Sequence, residues 1–421
     1  MQSFRTELEN PVVEQDIINL EKKIREFREG KIHDEKFRSL RLARGIYGQR
    51  QPGVQMVRIK LPFGKVTFKQ LLRIADVSDE YASRNLHLTT RQDIQIHYVS
   101  LDRTPQLWAD LAQDDVTLRE ACGNTVRNVT ASPTAGIDPK EPFDVSPYAH
   151  GTFEFLLRNP VNQDMPRKFK IAFSSSDEDT AYSFAHDLGF IPKINANGER
   201  GFKVMLGGGL GAQPILANIV DEFLPEDQLV PYIESTIRVF DRYGERNNRN
   251  KARFKYVIQK FGLEEVLRLM QVERTANKVK TYKINTDAID VPAIPAGQQF
   301  GEVTISNPLG YEQWLATNVF EQKQKNFYGM YIKVRTGDIP TEKARKLVAL
   351  LQPLAGDEIR ITQNQGLLLK YIRKEAFPTL YNGLAELGMA DPGFDSVADV
   401  TTCPGTDTCN LGISNSMTFA R

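Results

Sequence analysis

The feature that most constrains this chain is a strand–helix–strand unit that occurs twice, far apart in the sequence. The first copy extends from Gly53 to Tyr98, and the second begins at Asn326. In both copies apolar residues alternate in two predicted strands and recur at helical spacing between them. Two copies of one unit indicate a duplication and predict a pseudo-two-fold pair that packs together. Identical residues recur at a constant offset of 273 positions: Thr89 and Thr362, Gln92 and Gln365, Tyr98 and Tyr371.

Local signals predict the other elements. Residues 11–45 carry apolar side chains at helical spacing and are predicted to be helical. Thr67 is the predicted N-cap of a helix that ends near Ser83. Between the two copies, Thr152–Leu157 is predicted to be a strand and 226–243 a helix. The region between the copies is therefore predicted to be an α/β domain.

Composition and charge limit the class of protein. The chain has 421 residues, of which 41% are hydrophobic and 25% charged, which is typical of a globular protein with two or three domains. A net charge of +1 gives no general attraction to nucleic acid or to a membrane surface. Three cysteines are too few for a secreted disulfide scaffold, and the N-terminus lacks an apolar signal core. We therefore expect a cytoplasmic protein with no nucleic-acid or membrane partner.

Two of the three cysteines lie on one loop near the end of the sequence. Cys403 and Cys409 are flanked by Pro404, Gly405 and Gly412, residues that exclude a regular element. Two thiolates on a tight loop could ligate a soft metal or an iron–sulfur cluster. On this stretch alone, two inert cysteines or a strained disulfide are the alternative. A zinc site is less favoured, because the chain has five histidines and none of them clusters with this loop.

Basic residues in the region between the copies are candidates for anion binding. Arg127 lies in the motif CGNTVRN, and Lys168 and Lys170 lie in PRKFK. In an extended segment these two lysines project from the same face, about 7 Å apart. Their like charges repel, so such a pair faces either solvent or an anion.

A glycine-rich loop and a basic helix follow in the same region. Gly207, Gly208 and Gly209 come directly after a predicted strand in the run GGGLG, so their N–H groups could meet an anion or a flat cofactor. Arg253 and Lys255, in RNKARFKY, could point at carboxylates or at water. Neither motif is a dinucleotide fingerprint or a Walker loop.

Taken in order, these motifs resemble the sirohaem-dependent sulfite and nitrite reductases. The resemblance extends from about residue 50 to 421 and rests on LHLTTRQDIQIHYV, CGNTVRN, PRKFK, GGGLG, RNKARFKY and TTCPGTDTCNLG. It implies an α+β fold with a pseudo-two-fold pair of ferredoxin-like β-α-β half domains and a central α/β sirohaem domain. The expected boundaries are 1–50 for a helical extension, 51–115 and 299–395 for the half domains, 116–298 for the central domain, and 396–421 for the start of a further domain.

The resemblance also implies roles for the candidate residues. The family carries a sirohaem beside a 4Fe-4S cluster, and a cysteine thiolate bridges the cluster to the haem iron. Arg91, Arg127, Lys168 and Lys170 match the basic residues around the substrate anion. Without the resemblance, Arg91 would be taken as a surface turn residue, and the second copy carries Asn364 in its place. Cofactor contacts are expected from the following residues: Arg91, Arg127, Gly207, Gly208, Gly209, Arg253 and Lys255.

One departure from the family concerns the cluster ligands. The family has two cysteine pairs, C-x5-C and a later C-x3-C, whereas this chain has only Cys403 and Cys409, and its third cysteine, Cys122, is expected to be structural. The resemblance therefore predicts an N-terminal part of a reductase or one half of a split enzyme. We expect no turnover from this chain alone.

The expected reaction is the six-electron reduction of sulfite to sulfide. Lys170 favours sulfite over nitrite, because the matching position tends to be asparagine in plant-type nitrite reducers. Reduction of nitrite to ammonia is the first alternative, and a non-catalytic remnant that binds a tetrapyrrole or an anion is the second. The chain shows no flavin or nicotinamide motif, so electrons would come from ferredoxin or a flavoprotein reductase.

Overall fold

The computed structural model describes residues 10–289, 291–297 and 302–420, and the chain divides into two compact units. Residues up to Ala121 together with those from Val291 onward form one unit, called here the repeat unit. Cys122–Asp290 form the other, called the central unit. The finer domain boundaries expected from the sequence stay predictions. Among the described residues, no helix combines the length and the apolar composition that crossing a membrane requires.

The first segment of the repeat unit contains the first copy. Asn10 caps α1 (Pro11–Arg28), which buries Ile17, Leu20 and Ile24. The helical region predicted at 11–45 is confirmed for 11–28 and 34–42, whereas 29–33 and 43–45 lie outside the helices. Thr67 caps α3 in a capping box with Gln70, as its position predicts. The elements are α1 (Pro11–Arg28), α2 (Asp34–Leu42), β1 (Ile46–Gly48), β2 (Val54–Ile59), β3 (Lys65–Val66), α3 (Phe68–Tyr81), β4 (Asn85–Leu88), β5 (Ile94–Ser100) and α4 (Thr104–Ala112).

The central unit holds a mixed sheet with strand order β10-β9-β8-β7-β6. The β6, β7 and β8 strands run parallel, whereas β9 and β10 are antiparallel to their neighbours. Phe173, Phe190 and Phe202 pack edge-to-face and stacked within its core. The elements are β6 (Thr130–Ala131), α5 (Ser146–Leu156), β7 (Ile171–Phe173), β8 (Leu188–Ile194), β9 (Arg200–Leu206), β10 (Asn218–Pro225), α6 (Leu229–Tyr243), α7 (Phe254–Phe261) and α8 (Leu263–Ala276).

The predicted strand at Thr152–Leu157 is wrong, because residues 152–156 form the end of α5 and Leu157 is its C-cap. The aromatic and β-branched side chains of this stretch favour a strand when it is considered alone. The structure buries Tyr148, Thr152 and Leu156, which are spaced by four residues and lie on one face of a helix. Pro147 fits the first turn of that helix, where no intrahelical N–H is needed.

The last segment of the repeat unit contains the second copy, followed by a tail with little regular structure. Its strand–helix–strand order is the one predicted from the repeat. The elements are α9 (Pro308–Asn318), β11 (Val319–Glu321), β12 (Tyr328–Ile332), β13 (Asp338–Pro340), α10 (Thr341–Leu351), β14 (Ile359–Ile361), β15 (Leu367–Ile372), α11 (Phe377–Glu386) and α12 (Ser416–Ala420).

The two copies exchange short strands. One sheet has the order β1-β2-β5-β4-β13, and the other has β11-β12-β15-β14-β3. Each copy therefore contributes its short strand to the edge of the other copy's antiparallel sheet. The helices α3 and α10 pack together, and one hydrophobic core joins both copies. The predicted α+β pseudo-two-fold pair is confirmed. The exchanged strands and the shared core join the two copies.

Reciprocal side-chain bonds cross the junction between the copies. Gln92 Nε2 donates to the carbonyl of Ile361 at 2.9 Å, and Gln365 Nε2 donates to the carbonyl of Leu88 at 2.9 Å. These donors and acceptors correspond at the same offset of 273 residues. Both glutamines have left-handed backbone, with φ of 57° and 62°. The symmetry predicted from the sequence therefore extends to single hydrogen bonds.

Candidate functional site

Three of the predicted cations lie side by side in the central unit. The segment around Val126 pairs in parallel with Phe169, and the Arg127 N–H donates to the Phe169 carbonyl at 2.9 Å. Val126 and Phe169 are buried, whereas Arg127, Lys168 and Lys170 are partly exposed. Because neighbours along an extended segment point to opposite faces, these three cations share the face opposite to the buried pair. We call Arg127, Lys168 and Lys170 the cation strip.

The spacing of the cation strip makes it suitable for binding an anion. Alternate residues on one segment are about 7 Å apart, and neighbouring paired segments are about 5 Å apart. Like charges about 7 Å apart repel by about 2 kcal/mol at an effective dielectric constant of about 20. A bound anion would attract each of the three cations and so offset the repulsion among them. A face that meets only solvent gives no reason for three cations at neighbouring positions.

A buried carboxylate, Asp187, is hydrogen-bonded to the backbone of the cation strip. Its side chain is fully buried and accepts from the Lys170 N–H at 2.9 Å. It also pairs with Arg253, whose Nη2 lies 2.8 Å from Oδ2. The Asp187 carbonyl accepts from the Gly207 N–H at 2.9 Å. Asp187 therefore ties together the strip, the basic helix and the glycine loop, a role that the sequence did not suggest.

The glycine loop is packed closely against the protein around it. A Cβ at Gly208 would lie 2.3 Å from the Phe184 carbonyl oxygen, and a Cβ at Gly207 would lie 2.3 Å from the Ile258 side chain. The N–H of Gly209 donates to the Ile215 carbonyl at 2.9 Å. The N–H groups of Gly207 and Gly209 therefore donate to carbonyls within the protein. The role of the loop in cofactor binding stays a prediction that now rests on its shape.

Lys255 holds the glycine loop in place. Its side chain is buried, and Nζ donates to the carbonyls of Gly209 at 3.2 Å, Leu210 at 3.3 Å and Gln213. These three bonds match the three hydrogens of the ammonium group. Burial lowers the pKa of Lys255, and the charge of Arg253 lowers it further. Any contribution of Lys255 to cofactor binding would therefore be indirect, through the exposed tip of the loop that it fixes.

Arg91 lies in the repeat unit, in the turn between β4 and β5. The side chain is buried, with 6% exposed, so the alternative of a surface turn residue is excluded. The turn is closed by Thr89, whose Oγ1 accepts from the N–H groups of Arg91 and Asp93 at 3.2 Å each. The matching turn in the second copy carries Asn364, which donates to Asp395 and Asp399 of the tail. The two copies therefore use this position differently.

The cysteine loop, defined here as Thr402–Gly412, also belongs to the repeat unit. Cys403 is exposed and Cys409 is partly exposed, and both are free thiols. The Leu411 N–H lies 3.4 Å from the Cys409 sulfur and donates to it. The two side chains therefore fit the chemistry of soft-metal or cluster ligands.

This loop carries two of the four cysteine thiolates that a four-iron cluster would need. Such clusters are held by four cysteine thiolates, and the chain has three cysteines in all. Cys122 is buried, and its carbonyl accepts from Thr125 Oγ1 at 3.1 Å. Across the described ranges, no group of three or more histidine, cysteine, aspartate or glutamate side chains is placed to hold a metal ion. Cys403 and Cys409 could therefore supply two of the four ligands.

Comparison with known families places these features in a class. The nitrite/sulfite reductase ferredoxin-like half domain matches residues 47–114 and again residues 320–387. The nitrite and sulphite reductase 4Fe-4S domain matches residues 122–279. These segments cover more than half of the chain. The matched 4Fe-4S segment includes Cys122 but neither Cys403 nor Cys409, so their assignment to a cluster stays a prediction.

Relatives with the same domains extend over most of the chain. A sulfite reductase [ferredoxin] of Mycolicibacterium paratuberculosis is 25% identical over 360 residues, which are 85% of this chain and 60% of the relative. A ferredoxin–nitrite reductase of Synechococcus elongatus is 28% identical over 374 residues, which are 86% of this chain and 67% of the relative. The solved structure of the Mycobacterium tuberculosis NirA protein has a TM-score of 0.77 at 24% identity and covers 92% of this chain and 70% of its own.

These matches define a protein in which two ferredoxin-like half domains flank a 4Fe-4S reductase domain. The chain belongs to the nitrite and sulfite reductase family, a family of oxidoreductases. The resemblance inferred from the motifs is thereby confirmed. The chain spans 60% of the length of the mycobacterial relative.

Proposed function

We propose that this chain forms the anion-binding part of a sirohaem-dependent reductase that converts sulfite to sulfide. The observation that carries the proposal is the cation strip, in which Arg127, Lys168 and Lys170 share one face of two paired segments. The reaction adds six electrons to the sulfur, consumes protons and releases the oxygens as water. A site for it must therefore neutralise an anion and deliver protons, and a group of arginine and lysine side chains can do both.

The three cations have different tasks in this proposal. Arg127 keeps its charge at any physiological pH, so it holds the anion by hydrogen bonds from its planar fork. Lys168 and Lys170 carry ammonium groups that can hydrogen-bond to an anion oxygen and pass a proton to it as the oxygen leaves. Arg91 enters the proposal as a fourth cation, on the family resemblance and on its burial in the repeat unit.

The proposed cofactors are sirohaem and a 4Fe-4S cluster. When bound, these groups would carry electrons from the external donor to the anion, which the side chains cannot do. Cys403 and Cys409 would hold the cluster at two positions, with the remaining ligands from outside the described residues. The glycine loop, shaped by Lys255, and Arg253, held by Asp187, would line the cofactor side of the central unit.

The choice of sulfite rests on Lys170. Nitrite is the alternative substrate, and the names of the relatives include both activities. A non-catalytic remnant is less favoured, because the cation strip and its buried support by Asp187 are in place. The names of two relatives include ferredoxin, which supports ferredoxin as the donor over a flavoprotein reductase. A cytoplasmic location stays a prediction.

The experiment that tests the proposal uses the native protein, purified from its own cells through a tag on this chain. Reduction of sulfite and of nitrite is measured with methyl viologen as donor. We expect Lys168→Met and Arg127→Met to lower kcat/KM by about a hundredfold, the usual loss when one donor to a developing negative charge is removed. Lys193→Met is the matched control, because Lys193 is also in the central unit but pairs with Asp177 at the surface, at 2.6 Å.

The control is expected to stay within about twofold of the wild type, as surface ion pairs contribute little. Equal losses in all three variants would mean that the strip has no special role. A native protein that reduces neither anion would overturn the proposed activity. For the 421-residue chain by itself we expect no turnover, and measurable reduction by it would contradict the proposed need for further cluster ligands.

A further inference from the structure

The cysteine loop is attached to both copies of the repeat. On the first copy, the turn after β1 provides three contacts to the backbone around Cys409. The Arg50 N–H donates to the Thr408 carbonyl at 2.8 Å, and its Nη2 donates to the Gly412 carbonyl at 3.0 Å. Gln51 Nε2 donates to the carbonyl of Asp407 at 2.7 Å. The end of the loop that carries Cys409 is therefore fixed to the first copy.

The end that carries Cys403 is bonded to a buried side chain of the second copy, and Ser416 Oγ of the tail donates to the Cys403 carbonyl at 2.8 Å. Gln365, with 2% exposed, accepts from the Thr402 N–H through Oε1 at 2.7 Å. Its Nε2 donates to the Leu88 carbonyl at 2.9 Å. A backbone N–H can only donate and a carbonyl can only accept, so these two bonds fix the orientation of the amide. Gln365 thus bonds to the first copy on one side and to the residue before Cys403 on the other.

A histidine completes the environment of this amide. His87 Nε2 lies 3.4 Å from Gln365 Nε2, which is the donor atom, so the ring nitrogen acts as acceptor. Nδ1 of the same ring then carries a proton and donates to Asp338 Oδ1 at 2.9 Å. Burial opposes ionisation of Asp338, but the hydrogen bond and charge of His87, with hydrogen bonds from Asn85 and Thr336, together outweigh burial and lower the pKa of Asp338. Gln365 therefore lies in a chain of bonds with defined polarity.

The backbone at Gln365 has a strained conformation, which indicates that its side chain has a specific role. Its φ of 62° lies in the left-handed region, where glycine would be less strained. The matching Gln92 has φ of 57° and makes the matching bond to the Ile361 carbonyl. The bond from Thr402 links Gln365 to the cysteine loop.

We propose that Gln365 is a positioning residue that holds the Cys403 end of the cysteine loop against both copies of the repeat. The inference rests on the proposed function in one respect, namely that Cys403 is an iron ligand. The hydrogen bond itself does not depend on any cofactor. The Gln365 amide oxygen accepts from the Thr402 N–H and so holds the backbone at Thr402 in place. Gln365 thus holds one end of the loop and Arg50 the other, and the Ser416 bond to the Cys403 carbonyl is a further contact.

The test is amide hydrogen exchange at Thr402, resolved by mass spectrometry with fragmentation, on the 421-residue chain without cofactors. Gln365→Met removes the polar bonds and keeps nearly the same shape. We expect exchange at Thr402 to become about fivefold faster or more, the effect of losing one net hydrogen bond. Gln365→Glu keeps an oxygen that can accept from Thr402 but loses the donor to Leu88, and exchange is expected within about twofold of the wild type. Circular dichroism verifies that each variant is folded.

Gln92→Met is the matched control, because it removes the equivalent bond between the copies and leaves the Thr402 contact in place. Faster exchange at Thr402 in Gln365→Met, with neither Gln92→Met nor Gln365→Glu affected, supports the proposal. Equal acceleration in Gln365→Met and Gln92→Met would mean general loosening and would overturn it, as would unchanged exchange in Gln365→Met. Equal acceleration in Gln365→Glu and Gln365→Met would overturn the role of the acceptor oxygen. None of these outcomes depends on reductase activity, so a failure of the proposed function is read separately.

Discussion

Removing the carboxylate of Asp187 should destabilise the central unit more than removing any exposed carboxylate on it. Asp187 is fully buried, pairs with Arg253 and accepts from the Lys170 N–H. Breaking a buried ion pair by removing one partner costs about 3–5 kcal/mol, because the other charge is left uncompensated. The Arg253 side chain is 14% exposed, so water can solvate its charge in part and lower that cost. We therefore expect Asp187→Ala to lower the free energy of unfolding by about 3 kcal/mol.

The matched control is Asp177→Ala in the same unit. Asp177 makes an equally short contact, 2.6 Å to Lys193, but its side chain is 70% exposed. Exposed pairs of this kind contribute about 0–1 kcal/mol. A double variant, Asp187→Ala with Arg253→Met, should lose less than the sum of the two single variants, with a coupling of about 2 kcal/mol. A larger loss at Asp187 would show that burial and the bond from the Lys170 N–H, and not contact distance, decide the cost.

The assay is urea unfolding followed by far-UV circular dichroism. Tryptophan fluorescence provides a separate signal, because Trp108 and Trp314 are the only tryptophans and both lie in the repeat unit. With a slope of about 2–3 kcal/mol per molar urea, the transition of the central unit should move down by about 1 M in Asp187→Ala. If Asp187→Ala moved this transition no further than Asp177→Ala, the reasoning about the buried pair would be refuted.

Three further predictions address the substrate, the glycine loop and the repeat unit. Lys170→Asn in the complete enzyme should shift the ratio of kcat/KM for sulfite to that for nitrite towards nitrite, and an unchanged ratio would remove Lys170 as a basis for choosing sulfite. Gly208→Ala should destabilise the central unit by about 1–3 kcal/mol in urea unfolding, because its Cβ would lie 2.3 Å from the Phe184 carbonyl oxygen, and a neutral result would show that the loop can move away. Glu358 is buried beside Arg360, Lys370 and Lys65; burial opposes its ionisation, but these three cations and a hydrogen bond from Lys370 together outweigh burial and lower its pKa. Its stabilisation is therefore present above the unfolded-state pKa of about 4.3 and is lost as the pH falls through and below that value. Glu358→Gln should therefore lower the tryptophan-detected stability by about 3 kcal/mol at pH 7 and by less at pH 3, and an equal loss at both pH values would contradict this role.

Much of the fold could be predicted because its signals are local or repeated. Thr67 begins α3 as its capping chemistry requires, and the offset of 273 residues identified the pair of copies. The exchange of β3 and β13 could not be predicted, since strands of two and three residues carry no periodicity and pair with distant chain. The prediction of a strand at Thr152–Leu157 was wrong because this stretch continues a helix whose buried face begins at Tyr148, one turn earlier.

The candidate site was predicted where residue type and spacing carry the chemistry, as in the cation strip. Asp187 was missed, because a single aspartate has no pattern and its role depends on burial beside Lys170 and Arg253. The contacts of Gln51 do have a signal in the sequence, which is the repeat itself. Gln49 and Gln51 recur as Gln322 and Gln324 at the same offset, and each first glutamine donates to the second, at 2.7 and 3.0 Å.

The measurement that tests the central claim most directly is an absorption spectrum of the native protein, with analysis of iron and acid-labile sulfide. The protein is purified from cells that make sirohaem, through a tag on this chain. The account predicts strong Soret and red bands, iron and sulfide at the level of a four-iron cluster, and a spectral change when sulfite is added that is lost in Lys168→Met. A colourless, iron-free native protein would contradict the account, because the cation strip and the cysteine loop would then serve some purpose other than anion reduction.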